Sequence, residues 1–378
     1  MVKAQNKPWG IGVDILFFAG TRPEIIKLAP VLSAARASGL DGCWVATGQH
    51  AALADDTYRA LEFEPTIRLE LDWDGQALTS LTSALIKEAG SLVERLRPRA
   101  IIVQGDTATA YAGAMAGFLN RIPVCHVEAG LRTPSLASPF PEEGFRRLIA
   151  RIASLHFTPT RGATRNLIKE GTDPQMIIQT GNTVVDAVLS MAQRVIMPAS
   201  LKDKVDPDRA FILVTAHRRE NWDAGMDDIC RAILELRDRH KGIQLVLPVH
   251  SNPRVADRIH ALLDGQDNIH LVPALPYREF VWALQNCTLV LTDSGGVQEE
   301  ATTLGKPILI MRDSTERQEA VEIGAARLVG SKASDIVSNA TSILRNPILR
   351  WMMTRKKNPF GDGRASQRIA NALADLLQ

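Results

Sequence analysis

Short apolar runs alternate with longer stretches of helical periodicity along almost the whole chain, and this alternation limits the possible folds more than any other feature. Such alternation is typical of a parallel sheet with crossover helices. We therefore predict an α/β fold with two Rossmann-like, doubly wound domains facing a cleft. The strand-like runs are VDILFFAG, GCWVATG, RAIIVQG, PVCHVE, LHFTPT and MIIQTG in the first half, then FILVTAH, IQLVLPVH, NIHLVPAL, TLVLTDSGG, PILIMRD and ARLVG in the second.

The two halves are expected to meet near residues 185–210, where the sequence becomes polar and is broken by prolines. A chain of 378 residues is too long for one typical core and suits two domains. We predict an N-terminal domain of residues 1–185 and a C-terminal domain of residues 186–362. The last segment, 363–378, has helical periodicity and is expected to complete the first domain.

Charge and composition argue against several classes of protein. The net charge is only +2, from 44 basic and 42 acidic residues, so neither nucleic acid nor an anionic membrane is expected as a partner. No apolar stretch reaches the roughly 18–20 residues of a membrane-spanning helix. Four scattered cysteines and the absence of HxxxH, HExxH and CxxC spacings predict reduced thiols and no metal site. We expect a soluble, cytoplasmic protein.

Three acidic residues, Asp106, Glu128 and Glu142, each lie in or just beyond a loop that leaves a strand-like run. In an open α/β sheet, the carboxyl ends of the strands form the crevice where ligands bind. Carboxylates that converge there repel one another, which is unfavourable unless acid–base chemistry or a cationic ligand uses them. The alternative gives each residue a separate place at a helix N-terminus. The repetition favours catalysis.

The segment GTRPEIIKLAPV follows the first strand-like run and has features of a phosphate site. Its glycine turn and proline predict a helix start, which places Arg22 and Lys27 near exposed backbone N–H groups. Amides and cations together suit an anion. The alternative is an ordinary helix start with solvated basic groups.

The segment TDSGGVQEEATTLGKP provides a second phosphate candidate. Ser294, Gly295 and Gly296 follow a strand-like run and precede a helical pattern, so backbone amides can approach a diphosphate closely. Glu299 and Glu300 lie one helical turn further, where a carboxylate can accept hydrogen bonds from ribose. A purely structural glycine turn is the alternative. The absence of GxGxxG at a first βα turn argues against a nicotinamide cofactor.

Histidines also follow strand-like runs. His217 stands beside two arginines in VTAHRREN, a group that suits anionic oxygen. His126 and His250 are expected to serve packing or to support the site from behind. Arg317, in MRDSTERQEA, is expected either to reach the same crevice or to pair with a neighbouring acid.

Nine motifs resemble, in order, those of the bacterial non-hydrolysing UDP-N-acetylglucosamine 2-epimerases. They are GTRPEIIK, QGDTATA, HVEAGLRT, SPFPEE, TGNTVVD, TAHRREN, DSGGVQEE, TERQEA and NPFGDG. The resemblance implies two Rossmann-like domains in the glycosyltransferase-B arrangement, with a UDP-sugar in the interdomain cleft. The implied catalytic residues are Asp106, Glu128, Glu142 and His217. The implied substrate-binding residues are Arg22, Lys27, Arg146, Leu275, Phe280, Ser294, Gly295, Gly296, Glu300 and Arg317.

The resemblance also implies which part of the substrate each of these residues contacts. The acids act at the hexose, with Arg146 as an orienting cation, and Arg22 and Lys27 lie at the phosphate or sugar. Glu300 binds the ribose and Phe280 packs on the uracil. The backbone near Leu275 is also close to the uracil. The diphosphate is held by His217, Ser294, Gly295, Gly296 and Arg317.

The implied activity is reversible C2 epimerisation of UDP-N-acetylglucosamine to UDP-N-acetylmannosamine. UDP is eliminated and re-added through 2-acetamidoglucal, which requires no NAD or metal cofactor. The product would supply bacterial surface polysaccharide synthesis, and the implied assembly is a homodimer. Alternatives are a 2-epimerase of a related UDP-2-acetamido sugar, a hydrolysing epimerase, a glycosyltransferase-B UDP-sugar transferase, and a non-enzymatic UDP-sugar sensor.

The chain departs from the family pattern near two implied sites. Phe145 replaces a common asparagine beside the acids, and Gln104 replaces a common histidine. Many relatives bind a second UDP-N-acetylglucosamine as an effector through two glutamines and an arginine. Gln49 is retained here, but Ala52 and Gly75 stand at the other two positions. We therefore expect weak activation or none.

Overall fold

The computed structural model describes residues 13–378 apart from 50, 74, 76, 217, 219–223 and 250–251, and the side chains of 51–53, 224 and 254. The chain divides into two compact units. The first comprises Met1–Ala187 and Phe360–Gln378, and the second comprises Val188–Pro359. Each unit contains a parallel sheet whose strands are joined by helices, so the predicted α/β fold with two doubly wound domains is confirmed.

The first unit contains a seven-stranded parallel sheet in the order β3-β2-β1-β4-β5-β6-β7. Its strands are β1 (Ile15–Ala19), β2 (Gly42–Ala46), β3 (Ile67–Arg68), β4 (Ala100–Gln104), β5 (Val124–Val127), β6 (Leu155–Thr158) and β7 (Ile177–Gln179). Its helices are α1 (Arg22–Ala37), α2 (Ala51–Ala60), α3 (Leu78–Leu96), α4 (Ala108–Leu119), α5 (Glu142–Ile152), α6 (Arg161–Lys169) and α7 (Thr183–Ala192), which crosses the unit boundary.

Strand β1 shows why the strands of this sheet are apolar without interruption. Successive side chains point to opposite faces of a sheet. Ile15 and Phe17 therefore pack into one core of the first unit, while Leu16 and Phe18 pack into another. Because helices cover both faces, both sets must be apolar.

The second unit contains a six-stranded parallel sheet in the order β10-β9-β8-β11-β12-β13. Its strands are β8 (Phe211–Thr215), β9 (Gln244–Pro248), β10 (Ile269–Val272), β11 (Leu289–Thr292), β12 (Ile308–Ile310) and β13 (Ala326–Leu328). Its helices are α8 (Ala199–Lys202), α9 (Ala224–Arg239), α10 (Pro253–Leu263), α11 (Tyr277–Asn286), α12 (Gly295–Thr303), α13 (Gln318–Glu322), α14 (Ala333–Arg345) and α15 (Pro347–Thr354).

Both sheets reverse their strand order at one internal position. In the first unit the reversal lies between β1 and β4, and in the second between β8 and β11. Ligands of open α/β sheets bind outside the carboxyl ends of the strands at such a switch point. Within the first unit the fold therefore favours ligand binding at the loops after β1 and β4, and within the second unit at the loops after β8 and β11.

The last helix, α16 (Ala365–Leu376), belongs to the first unit and packs against α1. Ile369 and Leu373 are buried in the first-unit core. The Asp186 carboxylate accepts hydrogen bonds from the backbone N–H groups of Ala365 and Ser366 and so holds the start of this helix. Among the described residues, no helix is both long and apolar enough to cross a membrane.

Candidate active site

The loop between β1 and α1 begins the site in the first unit. Gly20 precedes the helix, and a Cβ atom there would overlap the hydroxyls of Thr47 and Thr109, so only glycine fits this close approach. Arg22 is the first residue of α1, and Lys27 is buried one turn further along it. The loop therefore has the predicted form of a glycine turn that leads into a helix with two cations.

Glu128 lies directly after β5 and forms a buried ion pair with Lys27. The Lys27 Nζ atom lies 2.8 Å from Oε1 and 2.7 Å from Oε2 of Glu128. Gln104 also donates a hydrogen bond to this carboxylate, and the Asn182 side-chain nitrogen lies 3.5 Å from it. Glu128 has a left-handed backbone with φ of 65°, a conformation that is costly for a residue with a side chain and is often found at functional sites.

Asp106 lies in the turn after β4 and pairs with Arg146 of α5. The Arg146 guanidinium donates two hydrogen bonds to Oδ2 of Asp106, one of them 3.0 Å long from Nε. Its Nη1 donates to Oε2 of Glu143 at 2.8 Å. Glu143 also accepts from the backbone N–H of Thr133 and from Arg147. The buried Glu143 carboxylate thus fixes the Arg146 guanidinium, which in turn binds Asp106.

Glu142, the third predicted acid, is the first residue of α5. Its Oε2 atom is buried and has no hydrogen-bond partner among the described residues. A carboxylate oxygen buried without a partner is costly, which is an arrangement that functional sites retain for a ligand. The alternative of a place at a helix N-terminus applies to Glu142 and to Asp106, which precedes the Thr107 cap of α4, and Asp106 and Glu128 also have cationic partners.

His126 supports the loop that carries Asp106. Its Nε2 atom lies 2.7 Å from the carbonyl oxygen of Gly105. Burial lowers the pKa of His126 to about 3, and burial also lowers the pKa of its neighbour His156 on β6 to about 4. Both imidazoles are therefore neutral near pH 7. This agrees with the supporting role expected for His126.

The second unit presents a helix N-terminus at its switch point. Ser294 precedes α12, and Gly295 and Gly296 are its first two residues. The backbone N–H of Ser294 donates to the Thr292 hydroxyl at 3.0 Å, which holds the turn against β11. A Cβ atom on Gly296 would meet no neighbouring atom of the described residues within 4 Å. Exposed amides at a helix N-terminus suit an anion.

Arg317 lies beside this turn. Its Nε donates to Oε1 of Glu299 at 2.9 Å, and its guanidinium carbon would lie 3.3 Å from a Cβ atom on Gly295. Glu299 therefore binds Arg317. The sequence also allowed Glu299 to accept hydrogen bonds from ribose. Nearby, the Nη1 atom of Arg312 donates to Oε2 of Glu316 at 3.1 Å.

Leu275, Phe280 and Glu300 are the remaining predicted residues of the second unit that the structure describes. Leu275 follows β10 and is buried, and Phe280 is a buried residue of α11. Glu300 lies on α12, one residue after Glu299, and is also buried. His217 and His250 lie outside the described residues. Within the described part of the chain, no group of three or more His, Cys, Asp or Glu side chains is placed to hold a metal ion.

Comparison with known proteins decides the family. The family model described as UDP-N-acetylglucosamine 2-epimerase matches residues 33–374. The UDP-N-acetylglucosamine 2-epimerase of Yersinia pestis is 42% identical over 369 residues, which cover 96% of this chain and 98% of the relative. The chain belongs to the UDP-N-acetylglucosamine 2-epimerase family.

Solved structures agree with this membership in the isomerases. The UDP-N-acetylglucosamine 2-epimerase of Neisseria meningitidis, solved with UDP-N-acetylglucosamine, matches with a TM-score of 0.90 at 36% identity and covers 97% of this chain and 100% of its own. The Methanocaldococcus jannaschii enzyme, solved with UDP-N-acetylglucosamine and UDP, matches with a TM-score of 0.82 at 32% identity over 97% and 100% of the two chains.

Two departures of this epimerase-family chain have a clear place in the structure. Phe145 stacks on Tyr111 of α4, with ring centroids 5.0 Å apart and planes inclined by 14°. It thereby joins α5, which carries Glu142 and Arg146, to α4. Gln104 occupies the end of β4 and donates to Glu128.

The structure also adds residues that the sequence prediction missed. Glu24, Glu143 and Asn182 all contact the predicted site residues or their loops. Glu24 had a sequence signal, since Thr-x-x-Glu before an apolar run is a capping box. Glu143 and Asn182 lie in the PFPEE and TGNT motifs but carried no signal that separated them from their neighbours.

Proposed function

We propose that this protein interconverts UDP-N-acetylglucosamine and UDP-N-acetylmannosamine by eliminating UDP and adding it back. Family membership supports the substrate class. The structural observation that carries the mechanism is Glu142, whose buried carboxylate oxygen is without a described partner while Asp106 and Glu128 are paired with cations. Glu142 thus offers a carboxylate oxygen to a ligand, while cations hold the carboxylates of Asp106 and Glu128 in place.

Elimination avoids a high-energy carbanion. The C2 hydrogen of the hexosamine is not next to a carbonyl, so its direct removal would be very costly. In the α-linked gluco substrate the C2–H and C1–O bonds are antiperiplanar. A carboxylate removes the C2 proton, the C2–H electrons form the C1–C2 double bond, and the C1–O electrons leave with the UDP β-phosphate. The products are 2-acetamidoglucal and UDP, which both stay bound.

Return of the proton to the opposite face of C2, with attack of UDP at C1, completes the epimerisation. Two faces need two acid–base groups, and positive character at C1 is stabilised by nearby negative charge. Asp106, Glu128 and Glu142 supply three carboxylates for these tasks. Arg22, Lys27 and Arg146 orient the acids and the departing phosphate.

We assign UDP to the second unit. The amides at Ser294, Gly295 and Gly296, together with Arg317 and His217, hold the diphosphate, because a helix N-terminus and a guanidinium both favour phosphate oxygens. Glu300 accepts hydrogen bonds from the ribose hydroxyls. Phe280 packs on the uracil, close to the backbone at Leu275. Relatives have been solved with UDP-N-acetylglucosamine and UDP, which supports UDP as the ligand.

The decisive experiment is NMR of the purified protein with UDP-N-acetylglucosamine in D2O. Deuterium is expected at C2 of both epimers, because the proton on the carboxylate exchanges with solvent. Retention of protium at C2 during epimerisation contradicts the elimination. Release of free N-acetylmannosamine and UDP indicates a hydrolysing enzyme. Absence of any reaction without an added acceptor sugar supports a transferase.

The proposal extends to the setting of the reaction. We place the enzyme in the cytoplasm as a homodimer that supplies an activated sugar for bacterial surface polysaccharide. Sedimentation velocity of the purified protein tests the dimer. Loss of surface polysaccharide after gene deletion, restored by the wild-type gene, tests the role.

A further inference from the structure

A buried carboxylate that the proposed reaction does not use lies between two loops of the site. Glu24, in the first turn of α1, is fully buried. Its Oε2 atom accepts hydrogen bonds from the backbone N–H groups of Gly20 and Thr21, at 2.9 and 2.7 Å, and from the Thr21 hydroxyl at 2.8 Å. Its Oε1 atom accepts from the Thr107 hydroxyl at 2.5 Å.

These bonds join two separate segments of the chain. Gly20 and Thr21 form the loop between β1 and α1, which leads into Arg22. Thr107 directly follows Asp106 and caps α4, since its hydroxyl oxygen accepts the backbone N–H of Ala110 at 3.0 Å. The Thr107 hydroxyl therefore accepts one hydrogen bond from α4 and donates another to Glu24.

Helix capping alone does not account for a charge in this place. An ordinary capping box needs only an acceptor oxygen, which glutamine also supplies, and it stabilises a helix end by about 1 kcal/mol. Burial raises the pKa of Glu24 to about 7, so the ionised side chain has a large desolvation cost. A carboxylate has two acceptor oxygens, and both are needed to bind donors from the two loops at once.

We propose that Glu24 is a positioning residue, which fixes Asp106 relative to Arg22 and Lys27 by tying the loop after β4 to the loop after β1. This inference rests on the proposed function, because Asp106 must act on the hexose for its position to matter. Glu24 itself is buried behind the two loops. In this scheme it contacts neither the proton that is transferred at C2 nor the phosphates of UDP.

Three threonine variants test the link through Thr107. Thr107→Val keeps the shape but removes the hydroxyl, so it removes both the cap of α4 and the bond to Glu24. Thr107→Ser keeps the hydroxyl. Thr160→Val is the matched control, because Thr160 caps α6 by accepting from Ala163 at 3.2 Å and has no such bond to Glu24.

We expect Thr107→Val to lower kcat by about 10- to 100-fold, the effect of a small misplacement of a reacting group. UDP affinity, measured by calorimetry, should remain within about twofold of wild type, since the diphosphate site lies in the other unit. Thr107→Ser should restore kcat, and Thr160→Val should leave it unchanged. Should Thr107→Val fail to fold, Glu24→Gln serves in its place. The amide nitrogen of glutamine cannot accept a hydrogen bond, so the side chain can no longer bind donors from both loops.

The outcomes separate this inference from the proposed function. Wild-type protein that leaves C2 protiated in D2O defeats the proposed function and this inference together. Wild-type turnover with an unchanged kcat in Thr107→Val, or an equal loss in Thr160→Val, defeats the inference alone. A loss of kcat that Thr107→Ser does not restore also overturns it, because the hydroxyl is then not the cause.

Discussion

The two units use different chemistry at the same position of their sheets. At its switch point the first unit buries charged side chains and pairs them, as in Lys27 with Glu128. At its own switch point the second unit presents backbone amides at the start of α12, with Arg317 held beside them by Glu299. Both sheet edges thus contain paired charged side chains, and the second adds the backbone amides of a helix N-terminus.

This difference follows from what each edge is proposed to do. Proton transfer requires ionisable side chains, and a buried charge is tolerated only with partners that offset its desolvation. Diphosphate binding needs only fixed positive dipoles, which a helix N-terminus provides without a buried charge. The first unit should therefore be the more sensitive to single side-chain changes and to pH.

The largest effect is expected from the acids. Asp106→Asn, Glu128→Gln and Glu142→Gln should each lower turnover by about 10²–10⁴, because an amide cannot exchange a proton with C2. UDP affinity should be nearly kept, because UDP binding is assigned to the second unit in the proposed function. NMR assays of turnover and calorimetry with UDP measure the two effects. Loss of UDP binding in these acid variants, with turnover intact in variants of His217, Ser294 and Arg317, would reverse the division between the units.

The second prediction concerns the stability of the buried ion pair. Lys27→Met removes the ammonium from Glu128 and should lower the free energy of unfolding by about 3–5 kcal/mol. Urea unfolding at pH 7 measures it. The double variant Lys27→Met/Glu128→Gln should recover most of this loss while remaining inactive.

A surface pair of the second unit provides the control for that measurement. Arg258 and Asp227 form an exposed ion pair, in which Nε of Arg258 lies 2.5 Å from Oδ1 of Asp227 and Nη2 lies 2.6 Å from Oδ2. Exposed pairs contribute little to stability. Arg258→Met should therefore leave the urea midpoint almost unchanged, and a loss equal to that of Lys27→Met would contradict the contrast in burial.

The third prediction tests the main-chain site of the second unit. Gly296→Ala adds a methyl group that would meet no neighbouring atom of the described residues within 4 Å, so the fold should be kept. If phosphate oxygens approach these amides, the methyl group blocks them. Loss of one charge-assisted hydrogen bond weakens UDP binding by about 10- to 100-fold.

Gly90→Ala is the matched control. Gly90 is also a helical glycine, in α3, with no atom within 4 Å of an added Cβ atom. It should keep UDP affinity and raise stability by roughly 0.5–1 kcal/mol. Equal UDP affinity in both alanine variants would remove α12 from the proposed site.

The fourth prediction is that acid destabilises the first unit through its buried histidines. The folded pKa of His156, about 4, lies below the unfolded value near 6.5, so the unfolded chain takes up its proton first and stability falls as the pH drops from 6.5 towards 4. Glu24 acts in the opposite direction, because its pKa of about 7 lies above the unfolded value and its contribution increases as the pH falls through 7 towards 4.5.

His156→Leu isolates one of these contributions. The loss of stability between pH 7 and pH 5 should be smaller in this variant by about 2 kcal/mol. Urea unfolding at the two pH values gives the difference. An identical pH dependence in wild type and variant would show that His156 is not held neutral by burial.

The smallest effect is expected at the effector position. The Gln49 side-chain oxygen accepts from the backbone N–H of Thr109 at 3.2 Å and from its hydroxyl at 2.8 Å. With Ala52 and Gly75 in place of an amide and a cation, an effector loses charge-assisted bonds of about 1.5–3 kcal/mol. The reverse reaction with UDP-N-acetylmannosamine alone should start without a lag. Strict dependence on added UDP-N-acetylglucosamine would contradict this.

Much of the architecture could be predicted from local pattern. Uninterrupted apolar runs predicted the buried strands, because a parallel sheet covered on both faces needs apolar side chains on each. The positions of Asp106, Glu128 and Ser294 after strands were visible for the same reason. The pairing of Asp106 with Arg146, 40 residues away, was not predictable from pattern, since no local rule relates the two.

The sequence by itself determined where strands and helices form and which residues follow each strand, because hydrophobic period and turn chemistry act over a few residues. Only the tertiary structure decided which side chains meet. Strand order brings the end of β5 to Lys27, 101 residues earlier, and the start of α4 to Glu24, 83 residues earlier. Burial then requires these charged groups to be paired or hydrogen-bonded, because a buried charge without a partner would cost more free energy than a marginally stable fold retains.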